Sequence, residues 1–175
     1  MKSISLLAGL LMLTAGINAQ SIMDKLYDKY SGAEGYTSVY ISKYMFDMFR
    51  NNETEAKSED DMEQLISKLN CIKILVTDDD PETPTPVNLY QEIMKAIPSS
   101  PYKEIMVVKE KDQDVKFYAK EDKGKVIELL LVIGGKEESV LISIQGSEID
   151  MKNISKLAAT MNIEGMENLN KIEKK

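Results

Sequence analysis

Histidine and tryptophan are absent from this 175-residue chain, which holds a single cysteine and a single arginine, Arg50. Without histidine, Ser-His and Cys-His nucleophile systems, imidazole proton shuttles and histidine metal sites are all excluded. Cys71 has no partner for an intramolecular disulfide, and its place at the head of the apolar run Cys71 to Val76 reads as a buried, inert thiol rather than a reactive one. One guanidinium leaves little for bidentate recognition of phosphate or carboxylate. Long apolar runs are missing too. The longest in the body of the chain, Leu129 to Ile133, has five members, against the ~20 that a membrane-spanning helix needs.

What is present begins with an address. Lys2 supplies a positive flank, Ile4 to Leu13 form a short Leu-rich apolar core, and small residues lead to Ala19 before Gln20. That order is the pattern of an export signal cut between Ala19 and Gln20. The competing reading, an uncleaved anchor, needs a longer apolar stretch. Residues 20–175 are then expected to be the mature chain, 156 residues, enough for one domain that holds a core without disulfide or metal. With no Cys at the cut, no lipid anchor is expected on this chain. The setting is exported, either periplasmic or extracellular.

Charge narrows the partners. The formal net charge of −7 becomes −8 once Lys2 is removed with the leader. Carboxylates concentrate in two places: Glu53, Glu55, Glu59, Asp60, Asp61 and Glu63 against Lys57 alone, and Asp78, Asp79, Asp80 with Glu82. Such a surface repels nucleic-acid backbones and anionic headgroups, so nucleic-acid binding is not expected.

Hydrophobic periodicity gives the elements. Ile22, Met23, Leu26, Tyr27 and Tyr30 share a helical face that stops at Ser31-Gly32. Tyr36 to Ile41 alternates as a strand, and Ser42 caps a short helix carrying Tyr44, Met45, Met48 and Phe49. Asp60 to Leu69 predicts a helix behind acidic first-turn residues, and Cys71 to Thr77 a strand that ends at the triple aspartate. All five prolines lie between 81 and 101 around one helix, Leu89 to Ile97. That stretch reads as an internal crossover rather than a domain linker, because neither flank has the length of an ordinary domain. Four strands follow in close succession, 104–109, 115–120, 126–133 and 139–144, then a helix with Ile154, Leu157, Ala158 and Met161 on its buried stripe. In the second of these strands Val115, Phe117 and Ala119 are expected to face the core, and Lys116, Tyr118 and Lys120 to face water. A tail over 162–175 either docks or frays. The sum is an α+β fold: an antiparallel sheet of about six strands, ending in a four-strand meander, with amphipathic helices packed mainly on one face.

The segments YTSVYISKYMFDMF (Tyr36 to Phe49), CIKILVTDDD, VKFYAK with VIELLLVI, and QGSEIDMKNISKLA (Gln145 to Ala158) together resemble the domain-of-unknown-function 4252 family, small exported proteins of the Bacteroidetes. The Ala19-Gln20 junction is similar to signal-peptidase sites of that phylum. The resemblance covers nearly all of residues 20–175 and implies a periplasmic or outer-envelope setting and an α+β domain. It brings no activity with it. Many members resemble lipoproteins with a Cys at the cut, which this chain lacks.

Four constellations invite a chemical reading. Asp78, Asp79, Asp80 and Glu82 offer hard oxygen ligands for calcium, yet lack the alternating ligand spacing and central Gly of a calcium loop, so a solvated turn is preferred. Ser100 to Lys103 matches a Ser-x-x-Lys string without its companion motifs. Gly134-Gly135 precedes a strand, not a helix, and reads as turn chemistry rather than a phosphate cradle. Tyr36, Tyr40 and Tyr44 could line a ligand face, although half-buried packing under a helix is the simpler reading. No catalytic, cofactor-binding or metal residue is assigned. The expectation is a non-enzymatic envelope protein that binds another protein or a small ligand. The alternative is a carboxylate-dependent hydrolase or lyase, which needs no histidine.

Overall fold

In the computed structural model, which describes residues 21–52, 66–77, 88–97, 101–135, 138–150 and 154, the first described element is a capped helix. The Ser21 hydroxyl accepts from the backbone N–H of Met23, and α1 (Ile22–Tyr30) follows with Asp24 in its first turn and Lys29 in its last, both placed to suit the helix dipole. Met23, Leu26 and Tyr30 are its buried stripe. After a turn comes β1 (Tyr36–Ser42), which runs straight into α2 (Lys43–Asn52). Residues 66–68 are helical and lead into β2 (Leu69–Thr77). Helix α3 (Leu89–Ala96) is capped by the Asn88 side chain, which accepts from the N–H of Gln91 at 2.9 Å. It stops at Ile97, whose backbone is extended, as favoured for a residue that precedes a proline.

The remaining strands are β3 (Tyr102–Lys109), β4 (Gln113–Asp122), β5 (Lys125–Gly135) and β6 (Ser139–Gly146). They form the expected meander. The β4–β5 connection is a two-residue turn with Lys123 and Gly124 both at positive φ, the twist that a tight hairpin demands. One six-stranded sheet results, in the order β1-β2-β6-β5-β4-β3, antiparallel throughout.

The fold class and the six strands are as read from the sequence, but the helices are shared between the faces of the sheet. On one face α1 and α3 cover Leu75, Leu130, Val132, Leu141, Tyr102 and Tyr118. On the other, Phe46 of α2, with Ile66, Ile149 and Ile154, covers Ile72, Phe117, Leu129, Leu131, Ile142 and Ile144. The expectation that the Tyr118 side of β4 faces water is therefore corrected. Tyr118 is buried, and the Lys116 ammonium lies 5.8 Å from the centre of the Tyr90 ring of α3. Alternating Lys and Tyr looks solvated in one dimension, yet a lysine stem can lie along apolar surface with only its head in water.

Two glycines set how closely parts approach. A Cβ on Gly134 would stand 2.4 Å from the Tyr90 ring, so this bare position is where α3 rests on β5. A Cβ on Gly146 would meet the Lys68 carbonyl oxygen at 2.6 Å, and that carbonyl accepts the N–H of Ser147.

Candidate functional site

Cross-strand register assembles a line of polar residues that no single segment displays. Ser42, Cys71, Gln145, Glu128, Lys120 and Tyr102 stand directly opposite one another, in that order, across all six strands. Residues in direct opposition share a face, here the face under α1 and α3. The next row, Tyr40, Lys73, Ser143, Leu130, Tyr118 and Glu104, is mixed. The row after it, Ser38, Leu75, Leu141, Val132, Lys116 and Val107, is apolar at its centre. Polarity thus falls off along the strands, and the N-terminus of α1 sits at the polar end.

Glu128 is the centre of the row and only 3% exposed. Its Oε1 accepts from Ser21 Oγ at 2.5 Å, Ser143 Oγ at 2.9 Å and Gln145 Nε2 at 3.4 Å, and its Oε2 accepts from the Tyr102 hydroxyl at 2.8 Å. A carboxylate has about four lone-pair sites, and these four donors account for them. Burial, together with the neighbouring Glu128 charge and hydrogen bond, holds the Tyr102 phenol far above its ordinary pKa, so it remains a donor. The positive end of α1 adds to the stabilisation of Glu128, because Ser21 is also the helix cap.

Gln145 extends the network. Its Nε2 also donates to Asp24 Oδ1 at 3.4 Å, and its Oε1 accepts from Cys71 Sγ at 3.6 Å. Asp24 in turn accepts from Lys73 Nζ at 2.5 Å, and that ammonium lies 5.4 Å from the Tyr27 ring centre and 5.8 Å from that of Tyr40. Burial works to lower the Lys73 pKa, but the Asp24 hydrogen bond and charge outweigh it and the net shift is upward. Burial pushes the Cys71 thiol up, which supports its reading as inert. Two carboxylates, a lysine, a phenol and a thiol therefore meet around one amide. Chemically, the arrangement fixes α1 to the sheet through charge-assisted bonds.

The residues singled out in the sequence fall elsewhere. Ala19 and Gln20, the acidic residues from Glu53 to Glu63, the calcium candidates Asp78, Asp79, Asp80 and Glu82, and Ser100 lie outside the described residues, as does the tail 162–175. Lys103 pairs with Glu121 at 2.8 Å. Gly134 and Gly135 close β5, and the Gly135 N–H bonds the Glu138 carbonyl at the turn. The three tyrosines separate: Tyr36 stacks on Tyr30 with ring centres 4.5 Å apart and is half-buried, whereas Tyr40 and Tyr44 are exposed. Among the described residues no group of acidic or cysteine side chains forms a metal-binding cluster, and no helix is long and apolar enough to cross a membrane.

Periodicity along single segments does not assemble the polar row. Its signal was present as Ser143 and Gln145, two positions apart in an otherwise apolar β6, and a Ser directly before the first helix. Register was the missing piece. Comparison with curated proteins and with solved structures returns no match. A family profile described as a domain of unknown function, DUF4252, matches residues 30–157, from the last residue of α1 to beyond β6. This protein therefore belongs to the domain-of-unknown-function 4252 family.

Proposed function

We propose that the chain is an exported, non-enzymatic binding protein of the cell envelope, and that α2 supplies its contact surface. The observation that carries this reading is the orientation of α2. Phe46 enters the core, while Tyr44, 73% exposed, and the exposed Met45 and Met48 point outward together. Large apolar side chains grouped on a surface are the mark of an interaction site, and methionines adapt to a partner's shape. Export rests on Lys2, the apolar Ile4 to Leu13 and the Ala19-Gln20 junction, and a cap at Ser21 is compatible with a fold that starts just past that cut. The test has two parts. Mass analysis of the protein from the envelope fraction is expected to give an N-terminus at Gln20. A photo-crosslinking residue at Tyr44 is expected to trap an envelope partner that Met48→Lys releases, and recovery of the intact leader in the cytoplasm, or of no adduct, would refute the reading.

One observation favours the alternative of a carboxylate-dependent hydrolase or lyase: Asp24 and Glu128 are bridged by Gln145, beside Lys73 and Tyr102. On that reading Asp24→Asn abolishes turnover of a glycoside or ester panel without unfolding the protein. The four protein donors already on Glu128 weigh against it.

A further inference from the structure

We infer that two copies of this chain pair through β1, antiparallel about a two-fold axis at Val39, to make one continuous twelve-stranded sheet. The two outer strands of the sheet differ in how they are protected. β3 has a register shift between Glu104 and Met106 and carries Lys103, Glu104 and Lys109, devices that keep an open edge from pairing with another chain. β1 has neither. Its seven residues, YTSVYIS, include no charge and no proline, and its pairing with β2 runs unbroken from Tyr36↔Thr77 to Ser42↔Cys71. Among the described residues no strand lies beyond β1, so its outer edge presents N–H and C=O groups in the alternating spacing of an antiparallel ladder. Val39 is 39% exposed and Tyr40 56%.

Self-complementarity and charge point to a second copy as the occupant. An axis through Val39 sets Tyr36 opposite Ser42 of the second copy, Thr37 opposite Ile41, and Ser38 opposite Tyr40. Each β-branched or aromatic residue then meets a neutral partner on its own face. An isologous contact brings like surfaces together, and in a chain of net charge −7 that is costly almost anywhere else. Of the two outer strands, the charge-free one is where a second acidic copy can approach. The pairing does not depend on what α2 binds.

Sedimentation of the purified protein tests this. The wild type is expected to show a monomer–dimer equilibrium. Val39→Lys is expected to raise its dissociation constant at least tenfold, while Val107→Lys, the matching change on β3, leaves it within twofold. A second readout does not depend on tolerance of a lysine. In a Cys71→Ala background, Val39→Cys is expected to form an inter-chain disulfide under mild oxidation, because facing residues of an antiparallel pair lie within disulfide reach. Val107→Cys in the same background is expected to stay reduced. A protein that remains monomeric up to about 100 μM, a dimer indifferent to Val39→Lys, or equal crosslinking from both edges would overturn the inference.

Discussion

The hydroxyl of Ser21 lies 2.5 Å from Oε1 of Glu128, across 107 positions of chain. One end of that bond is the cap of α1, and the other is the buried carboxylate in the middle of the sheet. Local helix initiation and long-range packing therefore meet in one hydroxyl, which accepts from Met23 N–H and donates to Glu128. Removing either end costs more than a helix cap alone.

Glu128→Leu leaves Ser21, Ser143 and Tyr102 without their shared acceptor, and is expected to destabilise the protein by about 3 kcal/mol. Ser21→Ala loses the cap and one of four donors, for about 1–2 kcal/mol. The two should be markedly non-additive in a double-mutant cycle read by denaturant unfolding, because they delete one bond. Additive costs would mean that the bond is not a stabilising link.

Gly134 is expected to resist substitution for a reason one helix away. A methyl there collides with the Tyr90 ring, so Gly134→Ala should cost about 1–3 kcal/mol through displacement of α3. In a Tyr90→Ala background the same change should cost much less. Equal costs in both backgrounds would place the strain elsewhere.

Stability should fall on acidification, with Glu92 as a principal contributor. Its carboxylate accepts from Lys29 and from the Tyr30 hydroxyl. Burial alone acts to raise its pKa, but these two bonds outweigh it and the net shift is downward. A lowered folded-state pKa means that the contribution is complete above the unfolded value, about 4.3, and is lost as pH drops through the folded one. Glu148, held down by hydrogen bonds from Lys125 and Lys68, acts in the same direction from the surface. Melting curves recorded below about pH 4.5 should fall less steeply for Glu92→Gln than for wild type. Parallel slopes would remove Glu92 from the account.

Cys71 should be nearly silent toward thiol reagents at neutral pH. Its side chain is buried, and its thiol is pushed up. Labelling by Ellman's reagent is expected only at the rate of unfolding, and to become immediate in denaturant. Fast labelling of the native protein would show that the polar row is open to solvent.

Much of the fold was legible because its signals are local. The Asn88 cap and Pro98 bracket α3, Gly124 marks the β4–β5 turn, and the apolar run Leu129 to Ile133 of β5 announces a central strand. The placement of helices on two faces was not, since Phe46 and Tyr44 lie two residues apart and only packing decides which one turns inward. The candidate site was the least legible part. Cys71, Gln145 and Glu128 become neighbours through strand register alone, and each looks unremarkable within its own segment.

Strand order also leads to an expectation about the sequence of events in folding. β3 to β6 follow one another with short connections, so their hairpins close over little chain and can form early. β2 has its second neighbour only in β6, where Leu69 meets Gly146. Until synthesis has passed that glycine, the pair formed by β1 and β2 has no second strand to dock on. The amino-terminal strands, although made first, are therefore expected to gain protection later than β4 and β5 in pulsed hydrogen exchange during refolding.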